Sequence, residues 1–225
     1  MNVAEAVAAR FSARAFLDQP VPTGQIRRIL DRARRAPSGG NLQPWHVYVV
    51  AGRQLQQLII RIGAAGAQHT RGEPREYNVY PPDLHEPYRS RRFKCGEDLY
   101  AALGIPREDK PARLHQFAKN LRGFGAPMVL FFSIDRAMGQ NQWAHLGMFM
   151  QTIMLLAVEE GLHTCPQEAW SAFHQTVAEF IGLPDEQMFY CGMAIGHADL
   201  EHPINSWRTE RAPLEDIARF LVDDQ

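Results

Sequence analysis

The apolar residues recur either at helical spacing or in short unbroken runs, and turn residues separate the two kinds of stretch. Asn2 is placed to cap a helix running to about Arg10, Pro20 and Pro22 interrupt, and Thr23 caps a second helix ending near Ala36. In that second helix Ile26, Ile29, Leu30 and Ala33 fall at i, i+3, i+4 and i+7, while arginines take much of the remainder, so one face is buried and the other solvated. Residues 141–160 form the longest predicted helix. Leu146, Phe149, Met150, Ile153, Met154, Ala157 and Val158 keep helical spacing and Gly161 stops it, which marks it as the central core helix. Further helices are expected over 54–63, 92–103, 107–121, 171–181 and 213–221.

Strands are expected at 45–50 (WHVYVV), 126–134 (APMVLFFSI) and 188–195, and 165–169 reads as a turn. Residues 68–90, crowded with Pro, Arg, Glu, Tyr and His, read as a long surface excursion of the kind that lines binding sites. No repeat, low-complexity segment or linker divides the 225 residues. The reading is therefore one α+β domain, residues 1–225, in which helices cover a small sheet.

Composition narrows the classes of function. With 45% hydrophobic and 22% charged residues the chain is an ordinary globular one, and a net charge of -1 exerts no general pull on phosphate polymers. Nucleic acid is not expected as a partner, and any anion site must come from local arginines. The longest apolar stretch, 147–158, falls short of the ~20 residues of a membrane span, and the N-terminal residues lack a signal-peptide core. Neither membrane nor targeting is expected. Three cysteines without a CxxC pair argue against disulfides and structural zinc, and fit the reducing cytoplasm. The densest histidine cluster, His197 to His202, lacks the helical i, i+4 pair or cysteine partners of a zinc site, so no metal is expected. Cys165 and the methionines of the core helix read as packing.

Anion recognition is the chemistry most visible locally. In an extended segment Arg10, Ser12 and Arg14 would point the same way and offer two planar guanidinium forks and a hydroxyl to one phosphate. Arg208 and Arg211 form a candidate second half of such a clamp. Residues 37–45 (PSGGNLQPW) are more specific. Consecutive glycines let backbone approach a planar ligand, and Asn41 and Gln43 offer paired donors and acceptors. Solvated arginines and an ordinary two-glycine turn are the competing readings of these features. Tyr77, Tyr80, Tyr88, Phe93, Tyr100 and Phe124 read either as a lid over an aromatic substrate or as ordinary core and surface aromatics.

The segments RFSARAF, RAPSGGNLQPWHVYVV, GLHTCPQEAW and WRTERAPLEDI, in that order, resemble the nitroreductase family of FMN-dependent oxidoreductases across nearly the whole chain. The stretch PYRSRRFKCGEDLYAALGIPRED is similar to the subgroup acting on nitrobenzoates and related nitroaromatics. The resemblance implies a small, mainly antiparallel sheet surrounded by helices, in an intertwined homodimer with two FMN sites at its interface. It implies that Arg10, Ser12, Arg14 and Arg211, helped by Arg208, hold the flavin phosphate, ribityl chain or pyrimidine edge. Pro37, Ser38, Gly39 and Asn41 would come from the partner subunit. Pro166, Gln167, Glu168 and Ala169 would line the flavin ring, one backbone N–H bonding its N5.

Residues 68–125 would form the lid and substrate excursion, with Tyr88, Phe93 and Phe124 facing a small aromatic substrate. The implied reaction is reduction of nitroaromatics to nitroso and hydroxylamine products by a ping-pong cycle, with NADPH or NADH as donor and no catalytic side chain in the hydride step. Enone reduction, reductive dehalogenation or flavin fragmentation on the same scaffold, or a flavin-storing or sensing protein, are the alternatives. Two positions depart from the family pattern. Ala169 stands where glycine is common, and Thr209 stands where a basic residue is common, which shifts weight onto Arg208.

Overall fold

The computed structural model describes residues 1–222. Four strands form one antiparallel sheet in the order β1-β2-β4-β3: β1 (Trp45–Ala51), β2 (Met128–Asp135), β3 (His163–Gln167) and β4 (Gln187–Gly196). Central strand β2 is buried on both faces, and its alternate residues feed two different cores. Met128, Leu130, Phe132 and Ile134 join α2 (Thr23–Ala33) and α6 (Gln140–Glu159) on one side. Val129 and Phe131 join α3 (Gly52–Gln68) and α7 (His174–Ile181) on the other. A strand covered on both faces has no polar face to show, which is why this segment reads as an unbroken apolar run. Trp45 of β1 stacks flat on Phe149 of α6 at 4.7 Å, fixing the core helix against the sheet.

Helix α1 (Val3–Ala9) carries the expected Asn2 cap, completed as a capping box by Glu5. The excursion after α3 leads into α4 (Tyr88–Ala102) and α5 (Lys110–Ala118), joined by the Glu97–Arg113 ion pair at 2.6 Å. Two short helices follow β4: α8 (Pro203–Ser206) and α9 (Leu214–Ile217).

Three expectations are corrected. The expected turn at 165–169 is in its first half an edge strand, β3, with Pro166 opposite Met193. Proline is tolerated there because an edge strand leaves one side of its backbone unpaired. The expected helix 213–221 shrinks to the single turn of α9, after which Ala218 is extended. Ile217, Phe220 and Leu221 of that segment are exposed, and the turn meets α4 through the Arg91–Asp216 ion pair rather than by burying an apolar face. Helix 171–181 begins instead as a 3-10 turn, Glu168–Phe173, before α7.

Candidate functional site

The segment after α1 is extended, with Ser12 in a parallel bridge to Thr164 of β3 and the Ala13 N–H donating to the Thr164 carbonyl at 3.0 Å. Alternation then sorts the side chains. Phe11 and Ala13 turn inward against Ala198, which leaves Arg10, Ser12 and Arg14 on the opposite side. Asn205, fully buried in α8, accepts the Arg14 N–H at 2.8 Å and donates to the Ala15 and Asp199 carbonyls, locking this segment to the chain that carries Arg208 and Arg211. The Arg208 guanidinium lies 3.9 Å from the Phe11 ring and that of Arg14 5.8 Å from the Trp207 ring.

Arg10, Ser12, Arg14, Arg208 and Arg211 therefore line one cavity of about 470 Å³ with no Asp or Glu in its wall. Burial, and then the like charge of Arg211, push the Arg10 pKa down. The guanidinium stays charged, burial being the larger cause of the shift and the like charge of Arg211 the smaller. Burial, and then the charges of His197 and Arg208, likewise depress His163 behind the cavity. A neighbouring cavity of about 490 Å³ shares Arg14 and adds Lys119 and Arg122 against the single carboxylate of Asp199. The sequence reading did not single out Lys119, Arg122, Phe11 or Trp207. The basic pair in the stretch KNLR was the available signal for the first two.

Pro166, Gln167, Glu168 and Ala169 line a further cavity of about 820 Å³, which the excursion closes with Arg71, Arg75, Leu114 and Phe117. Gln167, buried, donates to the Asn120 carbonyl at 2.7 Å and accepts from the Trp170 indole at 3.3 Å, so the turn is pinned from below. Burial pushes the Glu168 carboxyl up, opposed by the Tyr190 hydroxyl that donates to it at 3.2 Å. Burial also raises Cys165 to about 11 and Cys191 well above the ordinary thiol range, so both stay protonated packing groups.

Pro37, Ser38, Gly39 and Asn41 stand apart from these cavities on an exposed turn. Gly40 and Asn41 have φ of 58° and 54°, and the Gly39 N–H donates to His145 Nε2 of α6 at 3.3 Å. Tyr88 and Phe93 sit on the exposed side of α4, outside the wall of the 820 Å³ cavity. The expected lid role of Phe124 is corrected: it is 7% exposed and packed with Phe16, Ala126, Cys165 and Ala194. A positive φ of 53° turns its ring inward, away from the excursion's outer surface. Among the described residues no three His, Cys, Asp or Glu side chains are grouped to hold a metal, and no helix is long and apolar enough to cross a membrane.

The sequence model of the nitroreductase family matches residues 7–197. The chain is 38% identical to nitrobenzene nitroreductase of Ectopseudomonas oleovorans over 94% of this chain and 93% of that protein. It is 36% identical to 4-nitrobenzoate reductase of Pseudomonas putida over 97% and 95% of the two chains. The crystal structure of the FMN and NADPH-dependent nitroreductase NfnB from sphigopyxis sp. strain HMH superimposes with a TM-score of 0.96 at 47% identity, covering 99% of this chain and 100% of that one.

Proposed function

The chain belongs to the nitroreductase family, and from that premise we propose that it is an FMN-dependent NAD(P)H oxidoreductase reducing aromatic nitro groups to nitroso and hydroxylamine products in a ping-pong cycle. The observation that carries this reading is the convergence of Arg10, Ser12, Arg14, Arg208 and Arg211 on one cavity without a carboxylate. Four guanidinium groups in so small a space repel one another, and a phosphate dianion removes that cost while accepting their planar donors. The donor set thus fits the phosphate end of FMN. Pro166 to Ala169 offer a neutral backbone edge beside a cavity able to take a flat ring, and Ala169 is small enough for close approach.

When bound, the flavin accepts hydride from the nicotinamide and passes it to the second substrate. The protein's own residues hold and orient. The arginines anchor the phosphate, the turn at 166–169 presents backbone to the ring, and residues 68–125 close the substrate cavity. Tyr88 and Phe93 of α4 form the outer part of that lid. Pro37, Gly39 and Asn41, exposed here, and half-buried Ser38 complete the site of a second copy in a homodimer with two such sites. Exposed Val7 at the wall of the clamp cavity and exposed Met148 on α6 supply apolar surface for that contact. Three unpaired thiols suit a cytoplasmic location.

The test is an absorbance spectrum of the purified protein, then anaerobic addition of NADPH or NADH, then of 4-nitrobenzoate. Bound flavin that bleaches with the nicotinamide and recovers with the nitro compound supports the cycle. Flavin that never bleaches, or a protein that takes up no FMN, sinks it.

A further inference from the structure

Glu168 opens the 3-10 turn after β3, and its half-buried carboxyl faces the 820 Å³ cavity together with Tyr190 of β4. The Tyr190 hydroxyl donates to Glu168 Oε1 at 3.2 Å, and the Tyr77 hydroxyl donates to the Tyr190 backbone carbonyl. Trp143 closes the cluster, edge-on to Tyr190 at 5.2 Å and tilted on Tyr77 at 6.3 Å. The ionisable groups packed around Glu168 are Tyr190 and Cys191 of β4 and Tyr77 of the excursion, with Glu76 beyond it. His69, Arg71, Arg75 and Arg92 stand elsewhere in the cavity wall. No cation is paired with the carboxyl among the described residues, so its charged form has one hydroxyl to replace the water it loses.

We propose that the Glu168 carboxyl, held at the cavity wall by the Tyr190 hydroxyl, is the proton donor to the nitrogen-bound oxygen of the substrate, with Tyr190 as its positioning residue. This rests on the reductase reading. Hydride from the nicotinamide, relayed to a nitro oxygen, converts Ar–NO2 into the anion Ar–N(O⁻)OH. Glu168 gives its proton to the OH group. The N–O bond breaks with its electron pair on the departing oxygen, water leaves, and the remaining O⁻ forms the N=O bond. The sum is Ar–NO2 + H⁻ + H⁺ giving Ar–NO + H2O. A second hydride and proton give Ar–NHOH, and the carboxylate regains its proton from solvent each time. An acid in the cavity wall suits this step because the leaving group is hydroxide, which needs a proton as the bond breaks.

The test separates the two half-reactions in the FMN-loaded enzyme. With 4-nitrobenzoate, Glu168→Gln is expected to slow flavin reoxidation at least about a hundred-fold, the scale of general-acid catalysis. Wild-type reoxidation is expected to fall as pH rises through the Glu168 pKa and to show a solvent deuterium isotope effect. In Tyr190→Phe the fall should move to higher pH, because the hydroxyl stabilises the carboxylate. Independently of turnover, infrared difference spectra taken as the pH is lowered should contain a protonated-carboxyl stretch appearing at higher pH than in the unfolded protein, and that band is lost in Glu168→Gln. If wild-type flavin bleaches and reoxidises while Glu168→Gln matches it in rate and pH profile, the proton-donor assignment fails and the reductase reading stands. Absence of the carboxyl band, or of any solvent isotope effect in the wild type, also overturns it. Failure of both NADPH and NADH to bleach wild-type flavin removes both.

Discussion

The Glu73 carboxylate accepts a 2.7 Å hydrogen bond from the backbone N–H of Gln175, 102 residues further along the chain. It also takes the N–H and hydroxyl of Thr176. Helix α7 has no side-chain cap of its own. A carboxylate from the excursion therefore satisfies its free N–H groups at the positive end of its dipole. Glu73→Ala should cost about 2–3 kcal/mol by leaving buried donors without a partner. For a chain of this size that lowers the melting temperature by roughly 4–12 °C. Thermal unfolding followed by circular dichroism measures it, and a variant melting with the wild type would show that the cap is dispensable.

Arg10→Ala and Arg211→Ala should each weaken FMN binding by about 1.5–3 kcal/mol, roughly 10- to 150-fold in Kd, the worth of a charge-assisted hydrogen bond. Quenching of flavin fluorescence on titration gives the constants. Arg27→Ala, on the solvated face of α2, serves as the comparison and should bind as the wild type does. Equal affinity in all three proteins would take Arg10 and Arg211 out of the clamp.

A methyl group at Gly192 would lie 2.5 Å from Trp170 Cδ1 and 3.2 Å from Phe131 Cε1. Both rings are fully buried, so neither can withdraw cheaply. Gly192→Ala should destabilise by about 1–3 kcal/mol. Trp170 follows directly on the turn 166–169, so the same change should shift the absorbance maximum of bound flavin. Chemical denaturation and a visible spectrum test the two effects separately.

The raised pKa of Glu168 has a consequence for stability as well as for chemistry. Burial is the larger cause, and the folded protein holds this proton more tightly than the unfolded chain does. Between the unfolded pKa and the higher folded one the native state binds more protons, so stability falls as pH rises across that window. Glu168→Gln should remove this part of the slope. Urea unfolding of both proteins at a series of pH values from 4 upward reads it, and parallel curves would mean that the buried carboxyl titrates as it does in the unfolded chain.

What the sequence made legible follows from where the burial pattern is simple. Alternation in the extended segment correctly put Arg10, Ser12 and Arg14 on one side, because Phe11 and Ala13 between them are plain core residues. Strand β2 was visible because both its faces are covered. Strand β3 was not: HTCPQ carries no alternation, and its pairing is imposed by β4 rather than by its own preferences. Phe124 misled because an aromatic following the excursion fitted a lid, whereas the turn between Gly123 and Gly125 places its ring in the core. The pairing of Glu168 with Tyr190 spans 22 residues and two strands, and no local pattern announces it.

The clamp joins the two ends of the sequence, with Arg14 and Asn205 bonded across 191 residues. During synthesis the N-terminal half of the arginine set leaves the ribosome long before Arg208 and Arg211 exist. Strand β4 ends at Gly196, so the sheet is completed only shortly before these arginines, and under the proposed function cofactor capture would be a late event in folding. A ligand held there, as the proposed function has it, would tie the segment after α1 to the residues beyond α8, so that two stretches far apart in sequence are secured by the same molecule.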